Sequence, residues 1–293
     1  MSKITKTTKE NIKRLNNIIE NSINVCKCCN IPMPSWIELS IIDYCNRKCI
    51  FCPKSDDSIA PNQKHLYMSL NLAKKLLKDI ETIKYNGTIV LCGYGEPMAS
   101  PIVMDIIKEL SIYCRVEIVT NGDYLTKEKI IELYNAGISY INISVYEGQK
   151  RFEDIEKMFS NLNVEKIKYI LRDRWYGQEK DYGLKLTNRA GTTNVGNQPK
   201  INTNTQCYYP FYSMTIDWNG DVLLCPQDWQ RRIKLGNINN NSLHDIWIGE
   251  GYKKHRTLLF NGTRTILPCS LCNCDGKLHG KNHSKLFFKG KNV

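Results

Sequence analysis

The run YCNRKCIFCPK places Cys45, Cys49 and Cys52 at C-x3-C-x2-C spacing. Thiolates so close together are metal ligands or reactive thiols before they are disulfides. An iron–sulfur cube holds four irons and a structural zinc takes four ligands. Three thiolates on a cube leave one iron open, and an open metal position accepts an exogenous chelating ligand. A second set, Cys207, Cys225, Cys269, Cys272 and Cys274, lies far downstream. It offers enough thiolates to close every corner of a second cube, or to hold zinc. Cys26, Cys28 and Cys29 crowd into four residues near the N-terminus. They are spare thiols, or metal ligands completed by a group from elsewhere. Cys92 and Cys114 fall at or near strand positions and read as buried apolar thiols.

Other polar residues sit in suggestive places. In Cys92-Gly93-Tyr94-Gly95-Glu96-Pro97 the glycines let the backbone approach a ligand, and Glu96 offers an acceptor for an ammonium group. Thr120-Asn121-Gly122 and Ser144 follow or end apolar runs, although such a turn and such a serine are common alone. Asn142-Ile143-Ser144 matches a glycosylation sequon, a reading that fails without secretion. Asn188-Arg189-Ala190-Gly191 carries a guanidinium suited to a carboxylate or hydroxyl, or else a surface arginine in a turn.

The elements that must position these residues alternate. Residues 9–23 predict a helix with Ile12, Leu15, Ile18 and Ile19 on one face. Trp36 to Ile42 reads as a strand, apolar except for Glu38 and Ser40, and the three-cysteine loop follows directly. Ser69 caps a helix bearing Leu72, Ala73, Leu76, Leu77, Ile80 and Ile83. Strands are expected at Thr88–Cys92, Val116–Thr120, Tyr140–Val145 and Lys166–Arg172. Between them come a helix capped by Ser100-Pro101, a helix from Thr126 to Ala136 stopped by Gly137, and a weaker one bearing Ile155, Met158, Phe159 and Leu162. Short apolar strands alternating with helices predict parallel β/α units. Five or six units fit before residue 190, too few for an eight-unit barrel but enough for an incomplete one. The cysteine loop, CGYGEP and TNGD all lie past strand ends and should converge on one face. Pattern is lost from 192 to 206; thereafter SMTIDWNGDVLLC predicts a β-hairpin turning at Asn219-Gly220.

With Phe51 beside its last cysteine, C-x3-C-x2-C resembles the cluster loop of radical S-adenosylmethionine enzymes. The resemblance implies a [4Fe–4S] cluster on Cys45, Cys49 and Cys52, whose fourth position takes the amino and carboxylate groups of S-adenosylmethionine. Reductive cleavage of that cofactor then yields a 5′-deoxyadenosyl radical that abstracts a hydrogen. CGYGEP resembles the family's GGEP segment, with Tyr94 departing from the commoner small residue. It implies cofactor contacts from Gly93, Gly95 and Glu96, as Phe51, Asn121 and Ser144 do at their positions. Asn188–Gly191 resembles a segment seen before an auxiliary-cluster domain, placing Arg189 near cofactor or substrate as the candidate catalytic group. The downstream cysteines, with Gly236 to Trp247, resemble a SPASM domain shortened to the one-cluster twitch form. Its implied ligands are Cys207, Cys225, Cys269 and Cys272, with Cys274 an alternative fourth.

The expected fold is α/β: an N-terminal helical extension (1–35), an incomplete (β/α)6-type TIM barrel (36–195) and a small β-hairpin/helix auxiliary-cluster domain (196–293). By resemblance to small dehydrogenases of the group, the expected reaction is two-electron oxidation of a sugar- or cyclitol-like alcohol, the substrate being a small anionic or sugar-like molecule, with flavodoxin or ferredoxin as electron donor. Radical maturation of a ribosomally made peptide is the second reading; only about 35 residues precede the first strand, too few for a separate leader-binding domain. A zinc-containing basic nucleic-acid-binding protein is a third; it uses the net charge of +12 but leaves the β/α alternation unexplained. Much of that charge lies in Lys3–Arg14 and Lys277–Lys291, where solvated tails account for it. No run of 18 apolar residues and no secretory h-region occur, so membrane insertion is not expected and the cytoplasm is.

Overall fold

The structure is a computed structural model and describes residues 6–21, 23–162, 168–175 and 186–289. Five β/α-type strands come first: β1 (Trp36–Leu39), β2 (Thr88–Leu91), β3 (Arg115–Thr120), β4 (Tyr140–Val145) and β5 (Tyr169–Asp173). The helices among them are α2 (Leu70–Thr82), α3 (Val103–Leu110), α4 (Lys127–Asn135) and α5 (Gln149–Ser160), preceded by α1 (Lys6–Asn21). All five strands pair in parallel, in the order β5-β4-β3-β2-β1.

The hairpin strands β6 (Ser213–Ile216) and β7 (Asp221–Leu223) turn at Asn219-Gly220 as expected, with Gly220 at φ 87°. The partner of β6 was not foreseen. Besides β7, it pairs in parallel with β1, Trp36 opposite Ser213 and Leu39 opposite Ile216. It is therefore the sixth parallel strand of the partial barrel, and one sheet runs across residue 195. β8 (Lys234–Asn237) extends that sheet antiparallel to β7. Short α6 (Tyr209–Tyr212), α7 (Leu243–Ile248), α8 (Glu250–Phe260) and α9 (Lys281–Phe288) complete the C-terminal region.

Alternation along the strands separates two faces. Ile37, Leu39, Ile89, Leu91, Val116, Ile118, Ile141 and Ile143 pack under the helices in the main core. The other face is the barrel interior. There α1 closes the open side: its Ile19 packs with Trp36, Val90 and Tyr212. Arg14 of α1 donates to both carboxylate oxygens of buried Glu117 at 2.6 and 2.9 Å, and its guanidinium lies 3.8 Å from the Tyr140 ring centre. A helix that seals an interior with a charge must bring that charge to a partner, and Glu117 is it.

Local details differ from expectation in a few places. β1 ends at Leu39, three residues early, because Ile41 and Ile42 turn to pair with Met68 and Tyr67. Ser100 does not cap α3; it closes the 3-10 turn Pro97–Ala99, and α3 starts after Ile102. Ser69 caps α2 as expected, through a hydrogen bond from Leu72, and Thr126, expected as the first residue of its helix, caps α4 by accepting from Lys129. Lys166 and Ile167 of the expected fifth strand lie outside the described residues, and β5 runs on to Asp173.

Candidate active site

The three-cysteine loop leaves the end of β1 and is held from beneath. Lys54, 1% exposed, donates to the Asp43 backbone and carboxylate oxygens at 2.9 Å each and to the Pro61 carbonyl at 2.8 Å. Arg231, in the segment after β7, reaches the same Asp43 carboxylate at 3.1 Å and also pairs with Asp217. Asn62 exchanges two 2.9 Å hydrogen bonds with the backbone of Cys45. These contacts anchor the loop to the protein around it.

CGYGEP meets this loop from β2. A side chain on Gly95 would collide with the carbonyl oxygens of Ile42 and Tyr44, so glycine here lets two backbones touch. Tyr94 is buried, meets Trp229 edge-on at 4.8 Å, and its hydroxyl donates to the Asp228 carbonyl at 3.3 Å. Its bulk fastens the segment to the C-terminal region, which accounts for the departure from a small residue. Glu96 is buried, and burial pushes its carboxyl up to about 7. Its oxygens accept from Thr120 Oγ1 (2.7 Å), the Asn121 amide (2.8 Å) and the Met98 amide (3.0 Å). Glu96 therefore binds the end of β3 to the end of β2, and its three accepted hydrogen bonds leave room on the carboxylate for one more donor.

Asn121 donates to Asn46 Oδ1 at 2.8 Å and lies 3.9 Å from Cys45 Sγ, within the cluster loop. Phe51 stacks on Tyr146 at 6.1 Å. Ser144 accepts from Arg172 at 2.8 Å. Arg47 is held by Asp123 and Glu147 over the Tyr146 ring, 4.9 Å from its centre. Strand ends β1 to β5 thus converge around the cysteines on one face, as the barrel geometry predicts.

Arg189 sits in a left-handed turn (φ 47°) and lines two cavities. The smaller, about 160 Å³, is shared with Glu38, Ser40, Gly93, Thr215 and Trp229. Thr215 Oγ1 and Trp229 Nε1 are buried there without hydrogen-bond partners. Glu38 projects inward from β1; burial raises its carboxyl to about 7, against the pull of the Arg189 charge. Cys92 packs with the apolar side chains around Trp36 and Val90, as expected, and also lies 3.8 Å from Glu38 Oε2. The larger cavity, about 570 Å³, runs from Phe51 past Arg189 to Cys274.

The second cysteine set surrounds a small cavity of about 20 Å³ lined by Cys207, Cys225, Cys269, Cys272 and Cys274. Arg264 organises its rim, donating to the carbonyls of Thr205, Gln206, Cys274 and Asp275 at 2.6–2.9 Å. A Cβ on Gly276 would lie 2.6 Å from Cys207 Sγ, so only glycine leaves that sulfur room. Asn188 and Asn273 exchange backbone-to-side-chain hydrogen bonds at 2.8 and 3.2 Å, clamping the Arg189 segment to the Cys269–Cys274 run.

Both sets fit iron–sulfur cubes. The amide two residues on donates to the sulfur of Cys45, Cys52, Cys207, Cys225 and Cys272, from Arg47, Lys54, Tyr209, Gln227 and Cys274. Amides aimed at sulfur stabilise the ligating thiolate. Burial pushes Cys45 and Cys49 up to about 11 and Cys207 and Cys269 to about 12, so a cationic core must displace their protons. Ligands of a single ion crowd together, whereas those of a cube each hold a different iron. Among the described residues, neither set is among the groups compact enough to hold a single metal ion, which leaves the cube as the better fit.

Known proteins agree. Residues 39–173 match the model of the radical SAM superfamily, and residues 207–275 that of SPASM, an iron–sulfur cluster-binding domain. The chain belongs to the radical SAM superfamily, with a SPASM-type domain, and its cofactors are [4Fe–4S] clusters and S-adenosylmethionine. It is 27% identical over 246 residues to the S-adenosyl-L-methionine-dependent 2-deoxy-scyllo-inosamine dehydrogenase of Niallia circulans, covering 82% of this chain and 92% of that protein. The structure of BtrN in complex with AdoMet and 2-DOIA superposes with TM-score 0.68 at 26% identity, over 83% of this chain and 94% of that one. A tungsten-containing aldehyde ferredoxin oxidoreductase cofactor-modifying protein of Pyrococcus furiosus is 28% identical over 142 residues, 47% of this chain and 39% of its own length.

Sequence reasoning passed over Glu38, Tyr146 and Arg172. The signal was available for two: a glutamate within the apolar run WIELSII and an arginine ending KIKYILR.

Proposed function

We propose that this protein is a radical S-adenosylmethionine dehydrogenase that oxidises a secondary alcohol of a small cyclitol- or sugar-like molecule to a ketone. One observation carries the reading: a single cavity, with Arg189 on its wall, extends from the cluster loop at Phe51 to the auxiliary cysteines at Cys274. Its volume, about 570 Å³, suits a small ligand beside a cofactor. The likeness over most of the chain to a protein named as a cyclitol-amine dehydrogenase supports the substrate class.

When bound, the cofactor and clusters supply one-electron chemistry that removes the carbinol hydrogen atom and accepts the electron left behind. Cys45, Cys49 and Cys52 hold the cluster beside the cofactor; Cys207, Cys225, Cys269 and Cys272 hold the acceptor, Cys274 being the alternative fourth ligand. Gly93, Gly95, Asn121, Ser144 and Phe51 shape the cofactor's berth, and Glu96, which ties the ends of β2 and β3 together there, offers its remaining acceptor site to the cofactor's ammonium group. Arg189 donates hydrogen bonds to the substrate oxygens. Glu38, on the adjoining smaller cavity that Arg189 also lines, accepts the hydroxyl proton, its carboxyl being poised near neutrality. The first electron comes from an external donor of the flavodoxin or ferredoxin kind.

The test is anaerobic incubation of the reconstituted protein with S-adenosylmethionine, reductant and a panel of cyclitols, aminocyclitols and sugars. The reading expects 5′-deoxyadenosine and a product two mass units lighter in equal amounts. A panel without such a product, alongside a mass change in a precursor peptide, overturns it.

A further inference from the structure

Cys26, Cys28 and Cys29 take no part in either cube. They form a tight turn: the Cys26 amide donates to the Ile31 carbonyl at 2.9 Å, the Asn30 amide to the Cys26 carbonyl at 2.8 Å, and Asn30 lies at φ 56°. A bridge between Val25 and Pro32 closes it. The turn aims its three thiols at one side chain from the far end of the sequence. His244 Nε2 lies 3.4 Å from Cys26 Sγ and 3.5 Å from Cys28 Sγ. All four ligand atoms, with Cys29, fall within 4.8 Å of one another, and among the described residues no other group of three or more Cys, His, Asp or Glu is so compact.

We infer that Cys26, Cys28, Cys29 and His244 form a structural zinc site that staples the N-terminal segment to α7. Three thiolates and one imidazole are a closed zinc ligand set, and zinc–ligand lengths of about 2.0–2.3 Å put tetrahedral ligand atoms about 3.5–3.8 Å apart. The two sulfur-to-nitrogen distances match that edge. The Cys26–Cys28 separation, 2.8 Å, is shorter, and a rotation of the exposed Cys28 side chain opens it.

His244 does not depend on the thiols for its place. Ser242 caps α7 by accepting from the Asp245 amide, the Leu243 amide donates to Asp79 at 3.0 Å, and Trp247 Nε1 donates to the Pro32 carbonyl at 2.8 Å. The ring is thus presented to the turn by contacts on either side of it. None of the four residues lines the cavities around Arg189 or the auxiliary cysteines. The site therefore stands or falls apart from the proposed reaction.

The test is metal analysis of the anaerobically reconstituted holoenzyme, with X-ray absorption at the zinc edge, which the iron clusters do not obscure. The expected result is about one zinc per chain, surrounded by three sulfurs at about 2.3 Å and one nitrogen at about 2.0–2.1 Å. His244→Ala and Cys28→Ser should each lose that zinc while keeping their iron. Wild-type protein without zinc overturns the inference whatever the variants do. So does zinc that persists undiminished in His244→Ala, a Cys26–Cys28 disulfide in peptide maps of the holoenzyme, or iron above two cubes that disappears with His244.

Discussion

At the scale of single residues, the interior of the barrel is governed by a few charges placed where apolar side chains would be cheaper. Glu38 is the sharpest case. A group that must accept a proton works only when ionised, so turnover should rise with pH through about 7 and level off above it. Glu38→Gln should lower turnover by about 10²–10⁴-fold and remove that rise, read from initial rates of 5′-deoxyadenosine and ketone formation. Stability carries the opposite sign. The folded protein holds the Glu38 proton more tightly than the unfolded chain does, so its contribution weakens as pH rises from 4.5 to about 7. Gln at this position should flatten that decline in denaturant titrations. Glu38 was half legible: an acid in an apolar strand is visible in sequence, but the Arg189 charge beside it comes from 151 residues away and is not. Glu96 was half legible for the same reason: its carboxylate is visible in sequence, but the donors that reach it from the next strand end are not.

Among elements, the cluster loop is positioned by a buried relay, Lys54 to Asp43 to Arg231 to Asp217, that ties it to the hairpin β6–β7. Breaking a buried ion pair from one side leaves an uncompensated charge. Lys54→Met should destabilise the metal-free protein by about 3–5 kcal/mol in urea unfolding, toward the lower end because Arg231 still reaches Asp43. Iron loading should fall with it. The strands and helices between Ser69 and Ser160 were legible because caps, apolar periodicity and turn glycines are local signals. The pairing of β6 with β1 was not, because hydrophobic pattern tells which residues are buried and not which distant strand covers them. The Cys26–Cys28–Cys29 turn was visible as an unexplained cluster, and only the tertiary fold could supply His244.

For the whole molecule, two clusters joined by one cavity make a reaction that needs both. Reconstituted wild-type protein should hold on the order of 8 irons per chain. Cys225→Ser should fall to about 4, and should still cleave S-adenosylmethionine while releasing little ketone, read by iron assay and product ratio. A variant that keeps both iron and coupled product would remove the auxiliary cysteines from the reaction. No helix among the described residues is long and apolar enough to cross a membrane.

The parallel pairing of Trp36 with Ser213 sets an order on synthesis. When the ribosome has made the first five strands, β1 still has one bare edge, and a bare edge is open to pairing with other chains. Contacts so distant in sequence form late and slowly. A nascent chain arrested before residue 213 should therefore remain protease-sensitive and aggregation-prone, although it already contains Cys45, Cys49 and Cys52. Cluster insertion would then have to wait until the hairpin has emerged from the exit tunnel.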